Sequence, residues 1–158
     1  MSSEDDKKFM TEALILAKKA FDENEVPVGA VLVSNGVIVA RAYNKVEQLC
    51  DATAHAELLC IRQLSQELKN WRLLNTTLYT TLEPCAMCAG ALLLSRVTRV
   101  VWAAPDNRHG ACGSWVNLLE KKHPTHTLLV EGGLFEEQAA LLMKNFFQRR
   151  RFENDRNV

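Results

Sequence analysis

Apolar residues recur at helical spacing over residues 9–21: Phe9, Ala13, Leu16, Ala17, Ala20 and Phe21 share one face, while Lys18, Lys19 and Asp22 fall outside it, so the pattern predicts a covering helix. Val26-Pro27-Val28-Gly29 breaks that period. Two β runs follow, 28–34 and 37–43, joined by Asn35-Gly36, a pair that favours the tight turn of an antiparallel hairpin. A polar loop over 44–54 leads into a second helix, 55–68, with Leu58, Leu59, Ile61 and Leu64 as its inward set. Residues 76–82 read as a buried strand, 85–95 as a third helix and 97–103 as a fourth strand. The stretch 104–114 reads as a loop, 115–119 as a turn of helix and 127–130 as a fifth strand. Gly132-Gly133 breaks the chain before a final helix over about 134–152.

Strands alternating with helices after a hairpin predict an α/β fold of three layers. It is a five-stranded mixed sheet with an N-terminal antiparallel hairpin and helices on both faces. The 158 residues suit one domain, 1–158, with a core large enough to need no metal or disulfide staple. We find no repeat or low-complexity tract. In such sheets ligands bind outside the carboxyl ends of the strands, and the loops after strands three and four leave from that edge. Lys and Arg total 19 and Asp and Glu total 19, so a nucleic-acid partner would have to be met by a local basic patch. Five cysteines, an acidic start without an apolar signal region, and no apolar run of the roughly 20 residues a membrane span needs predict a soluble protein of the reducing cytoplasm.

Candidate chemistry concentrates in His55-Ala56-Glu57 and Pro84-Cys85-Ala86-Met87-Cys88. One imidazole and two thiolates suit Zn²⁺, and three protein ligands leave the fourth tetrahedral position to water, the pattern of a catalytic site. Cys85 and Cys88 at i and i+3 share a face of a helix's first turn, where Pro84 is tolerated. Glu57 is a hard oxygen ligand in a soft site, which makes it a proton carrier and not a fourth ligand. Two residues apart on a helix means about 200° of rotation, so His55 and Glu57 converge only at the helix mouth. The competing readings are a closed zinc knuckle with Cys60 or Cys112 as fourth ligand and a redox dithiol; the second gives His55 and Glu57 no task. The order H-x-E followed by P-C-x-x-C resembles the signature of the zinc-dependent nucleobase deaminases.

Near the C-terminus, Lys144, Arg149, Arg150, Arg151 and Arg156 stand among Phe146, Phe147 and Phe152, opposed by Glu153 and Asp155. Aromatics beside cations can stack and neutralise unpaired RNA. The alternative is that the phenylalanines are core or dimer residues and the arginines a solvated face.

Four stretches taken together and in order narrow the reading: Val26-Pro27-Val28-Gly29-Ala30-Val31, Asp51-Ala52-Thr53-Ala54-His55-Ala56-Glu57, Thr81-Leu82-Glu83-Pro84-Cys85-Ala86-Met87-Cys88-Ala89-Gly90-Ala91 and Gly110-Ala111-Cys112-Gly113-Ser114. From about residue 9 to 151 the chain resembles the bacterial-type tRNA-specific adenosine deaminases of the cytidine-deaminase-like superfamily. That resemblance implies a homodimer that converts the wobble adenosine of a tRNA anticodon stem-loop to inosine, with one Zn²⁺ per chain and neither DNA nor membrane as partner. It assigns the zinc to His55, Cys85 and Cys88, the proton shuttle to Glu57, purine orientation to Asn44 with backbone contact at Ala56, and a ribose contact to Asp106. Asn44 read alone is equally an ordinary turn residue. Ala52 stands where the family usually carries Pro, Pro105 where a basic residue is common, and Cys112 where a small residue is usual. Two other functions compete: deamination of a free nucleobase or nucleoside of the guanine or cytosine type, and a non-catalytic zinc-stabilised RNA-binding subunit, against which Glu57 argues.

Overall fold

Side chains alternate across the strands so completely that the sheet has two apolar faces. In the computed structural model, which describes residues 3–120 and 122–156, Val31, Val33, Tyr79, Val101 and Ala103 pack to one side, and Ala30, Leu32, Leu78 and Val100 to the other. Such a sheet is stable only between two layers of helices. The elements are α1 (Ser3–Asp22), β1 (Gly29–Ser34), β2 (Val37–Tyr43), α2 (Val46–Leu49), α3 (Ala56–Leu68), β3 (Thr76–Leu82), α4 (Ala86–Leu94), β4 (Arg99–Ala104), β5 (Leu129–Gly132) and α5 (Glu136–Arg156). Strand order is β2-β1-β3-β4-β5, with β1 antiparallel to both neighbours and β3, β4 and β5 mutually parallel. Phe9, Met10 and Ala13 of α1 and Ala139 of α5 cover the first face; Ala56, Cys60 and Leu64 of α3 and Leu92 of α4 cover the second. The three-layer mixed-sheet architecture expected from the sequence is the one found. Met1 and Ser2, part of the acidic start, lie outside the described residues.

Local chemistry accounts for the hairpin and the first helix. Asn35 and Gly36 take φ of 49° and 74°, the paired positive values a type I′ turn requires. Glu4, Asp5 and Asp6 in the first turn and Lys19 in the last complement the α1 dipole. A Cβ on Gly29 would lie 2.1 Å from the Ala13 carbonyl oxygen, so α1 rests on β1 at a distance only glycine permits.

Several boundaries differ from the sequence reading. The buried stripe of α3 is Ala56, Cys60 and Leu64, with Glu57 beside it, whereas Leu58 and Leu59 are only half-buried. Small residues at i and i+4 let the helix settle on the sheet, a packing effect that hydropathy alone does not see. Residues 115–119 form turns and not a helix, because Leu118 N–H donates to Ala111 O at 3.0 Å and Cys112 bridges Asn117. The last strand is 129–132, two residues later than expected: His126 is held by its ring to Val97 O at 2.6 Å, and pairing begins at Leu129 opposite Arg99. α1 begins earlier and α5 ends later than their apolar patterns, since polar end turns carry no periodic signal.

Far from those loops, Arg99 joins three elements. It donates to Asp6 at 2.8 and 2.9 Å and to Glu131 at 2.9 and 2.7 Å, while Tyr79 Oη donates to Asp6 at 2.6 Å. The guanidinium holds the Asp6 carboxyl below the usual carboxylate range. A depressed native pKa stabilises the fold above the unfolded pKa, and that contribution is lost as pH falls through the native value. Asp6→Asn should therefore lower stability by about 1–3 kcal/mol at pH 7, with the deficit shrinking as pH falls below roughly 4. Urea midpoints at the two pH values measure both; equal midpoints at pH 7 would show that the α1–β4 tie is not needed.

Candidate metal centre and active site

Both chain segments that carry the candidate ligands are helix entrances. His55 is the N-cap of α3 (φ −74°, ψ 147°) and Cys85 the N-cap of α4 (φ −72°, ψ 172°), and neither side chain caps its own helix. Cys88 follows three residues into α4. Extended backbone at the caps turns both side chains outward to a common point: His55 Nδ1 lies 3.6 Å from Cys85 Sγ and 3.6 Å from Cys88 Sγ. Among the described residues these three form the group of potential metal ligands, their donor atoms within 4.8 Å of one another. Cys60 Sγ instead donates to Ala30 O at 3.3 Å under the sheet, and Cys112 is not in the group. The closed four-ligand reading therefore lacks its fourth member.

Helix N-termini favour anionic sulfur. The Cys85 thiol is held down to about 4, chiefly by the hydrogen bond from Cys88, with His55 adding to it against burial. Cys88, the donor of that bond and itself buried, is pushed up. His55 is raised, first by its bond to Cys85. A sulfur whose thiol pKa is lowered, a second sulfur beside it and an imidazole at contact distance constitute a donor set that suits zinc.

Glu57 occupies the second position of α3, so the helix-mouth condition for approaching His55 is met. It is 3 % exposed, and burial raises its carboxyl pKa. Oε1 lies 3.4 Å from the donating Thr80 hydroxyl; Oε2 is buried without a hydrogen-bonding partner in the protein. An unpaired buried acceptor of this kind is costly unless function retains it. Glu57 also lines the same cavity as His55 and Cys85, a space of about 1060 Å³.

Asn44, Ala56 and Asp106 line that cavity too. Asn44 is buried and donates Nδ2 to Glu25 Oε2 at 3.3 Å. Asp106 Oδ1 accepts from the backbones of Arg108 and His109 at 3.0 and 3.2 Å, so half of its carboxylate folds its own loop. Ala52 and Pro105, the departures from the family pattern, are further wall residues.

From α5 the cavity receives Phe147, Lys144, Arg150 and Arg151. Phe146 and Arg149, grouped with them on sequence grounds, are placed elsewhere. Phe146 is buried edge-on to Phe21, with ring centroids 5.9 Å apart. The Arg149 guanidinium stacks 4.1 Å from Phe21 and donates to Phe21 O at 2.8 Å and Asn24 Oδ1 at 3.1 Å. Those two side chains fasten α5 to α1, because the helix has to bury one face before it can present another.

Two buried acids went unread in the sequence. Glu25 accepts from Asn44, from Glu47 N at 3.2 Å and from Gln48 N at 2.6 Å, and thereby starts α2. Glu83 gathers the 105–114 loop. An acid directly before Pro84-Cys85 was a visible oddity, but its partners lie 23 to 31 positions away.

Residues 3–104, which include His55, Glu57, Cys85 and Cys88, match the cytidine and deoxycytidylate deaminase zinc-binding region. The chain is 47% identical over 143 residues to the tRNA-specific adenosine deaminase of Bacillus subtilis, covering 90% of this chain and 89% of that protein. Against the tRNA-specific adenosine deaminase of Haemophilus influenzae it is 45% identical over 152 residues, covering 96% and 88%. It is also 52% identical over 161 residues to the chloroplastic tRNA(adenine(34)) deaminase of Arabidopsis thaliana, spanning 92% of this chain but only 12% of that protein. A solved structure from studies of A-to-I editing by tRNA:A34 deaminases superposes with a TM-score of 0.82 at 41% identity, covering 85% of this chain and 98% of that one. The guanine deaminase of Bacillus subtilis superposes less well, with a TM-score of 0.62 at 32% identity, covering 82% and 83%. The zinc-binding region matched by residues 3–104 contains the His55, Cys85 and Cys88 donor set of this chain, and at these identities over nine-tenths of its length the chain belongs to the tRNA-specific adenosine deaminases within the zinc-binding cytidine and deoxycytidylate deaminase family.

Proposed function

We propose that this chain hydrolyses the wobble adenosine of a tRNA anticodon to inosine, releasing the exocyclic amine as ammonia. The observation that carries the reading is the buried Glu57 Oε2, without a hydrogen-bonding partner in the protein, in the cavity lined by His55 and Cys85. His55, Cys85 and Cys88 would hold the metal, and zinc bound there would supply Lewis acidity for activating a water molecule. Glu57 would accept a proton from the attacking water and return protons to the ring and to the departing amine. Burial raises its carboxyl pKa above the ordinary carboxylate range, which makes it a stronger proton acceptor than an exposed carboxylate. Asn44, held by Glu25, and the backbone at Ala56 orient the purine, and Asp106 meets the neighbouring ribose.

An unpaired nucleotide enters such a pocket at a low unstacking cost, which favours an anticodon loop over a duplex. Phe147, Lys144, Arg150 and Arg151 on the cavity wall offer a stacking face and cations for the flanking phosphates, groups a free-base enzyme does not need. The same reading pairs two copies of the chain, supported by the exposed Leu68, Trp71, Leu74 and Leu94 near the ends of α3 and α4. It sets the enzyme in the cytoplasm. No helix among the described residues is long and apolar enough to cross a membrane.

Three outcomes test the proposal. Cys88→Ala should lose both zinc and activity; metal analysis returning a full equivalent would remove Cys88 from the ligands. Glu57→Gln should keep zinc and stem-loop affinity but lose roughly 10²-fold to 10⁴-fold in turnover, read as the ~1 Da mass gain of amine-to-carbonyl exchange on an anticodon stem-loop, with adenine, guanine and cytosine as comparison substrates. Replacing Arg150 and Arg151 with Ala should weaken stem-loop binding and lower the slope of log affinity against log salt by about 1.4 to 1.8, two phosphate contacts' worth. An unchanged slope would return the cluster to a solvated face and favour a free base as substrate.

A further inference from the structure

Glu83 is 1 % exposed and sits between β3 and the segment that delivers Cys85, yet all the bonds its carboxylate makes go to one loop. Oε2 accepts from Asp106 N at 3.0 Å and from the Ser114 hydroxyl; Oε1 accepts from Cys112 N at 2.9 Å and Ser114 N at 3.1 Å. The backbone reinforces the same seam: Glu83 N donates to Ala104 O and Ala111 N to Pro84 O, both at 2.8 Å, and Cys85 bridges Gly110. A Cβ on Gly110 would lie 2.5 Å from Glu83 Oε2, so the loop approaches the carboxylate as closely as a chain can.

From this we infer that Glu83 is a positioning residue: its carboxylate fixes the loop that carries Asp106 to the segment that carries the metal ligands, setting where the substrate docks relative to the reacting centre. Asp106 Oδ1 is bound to the backbones of Arg108 and His109, so the side chain travels with the loop and cannot adjust alone. An acceptor-only group is required here. Four donors converge on two oxygens, and an amide in their place would turn an N–H toward at least one of them. The inference rests on the proposed role of this loop in meeting the RNA.

Glu83→Gln and, more gently, Ser114→Ala test it, each combined with Asp106→Asn. For an anticodon stem-loop, Glu83→Gln should raise KM about tenfold, the worth of one charge-assisted hydrogen bond, while kcat stays within about threefold. In the Asp106→Asn background that penalty should largely disappear, because both changes abolish one docking contact. Amide exchange should quicken across residues 105–114 and stay unchanged across 86–94, with zinc still at one per chain. Unchanged KM in both variants, or penalties that simply add to that of Asp106→Asn, would overturn the inference. Should Glu83→Gln lose zinc or fail to fold, Ser114→Ala decides by the same criteria. A wild-type protein inactive on the stem-loop would count against the proposed substrate instead; the exchange pattern then judges the loop anchor by itself, and uniform exchange would sink it.

Discussion

Everything near the site depends on two helices beginning at the same place. α3 and α4 both start at the edge where β3 and β4 end, and their first residues, His55 and Cys85, are extended caps whose side chains meet. Parallel pairing of β3 with β4 fixes that edge, since the register Leu82 to Ala104 brings the exits of both strands together. β1, running the other way, contributes its beginning at the same edge, and β2 its end, from which Asn44 emerges. One sheet register thus sets the distance between groups up to 60 residues apart, from Asn44 to Ala104.

Around that junction the walls are tied down by buried carboxylates. Glu25 collects the Asn44 side and Glu83 the Asp106 side, each accepting bonds from backbone N–H groups that a loop would otherwise give to water. Glu57, by contrast, keeps one oxygen without a protein partner. Three acids are buried within one region, and hydrogen bonding separates those that hold structure from the one fit to move protons. The C-terminal helix divides its side chains similarly: Phe146 and Arg149 lock it to α1, which leaves Phe147, Arg150 and Arg151 on the cavity.

Much of this was legible from the chain. Asn35-Gly36 specified its turn, strand 76–82 was bounded correctly, and the spacing of His55, Cys85 and Cys88 identified a group that the fold brings within contact. Those signals are local or depend on residue chemistry alone. What escaped was long-range: α2 begins on a carboxylate some twenty residues upstream, and the α3 stripe uses Ala56 and Cys60 because the sheet beneath leaves little room. Arginines 149, 150 and 151 are indistinguishable by composition, yet the rotation of a helix sends one to Phe21 and two to the cavity.

Serine, threonine, aspartate or asparagine normally begins a helix, worth about 0.5–2 kcal/mol over alanine at that position. Both helices facing the metal forgo that device, because the cap positions carry His55 and Cys85 with no side-chain bond to their own first turn. The positive ends of two dipoles meet there instead, and an anion is the charge that such ends favour. Mutational drift at these positions is therefore constrained from two sides at once. A residue that improved either helix would remove a donor, and a donor of another kind would leave two helix ends facing each other without the anion that reconciles them.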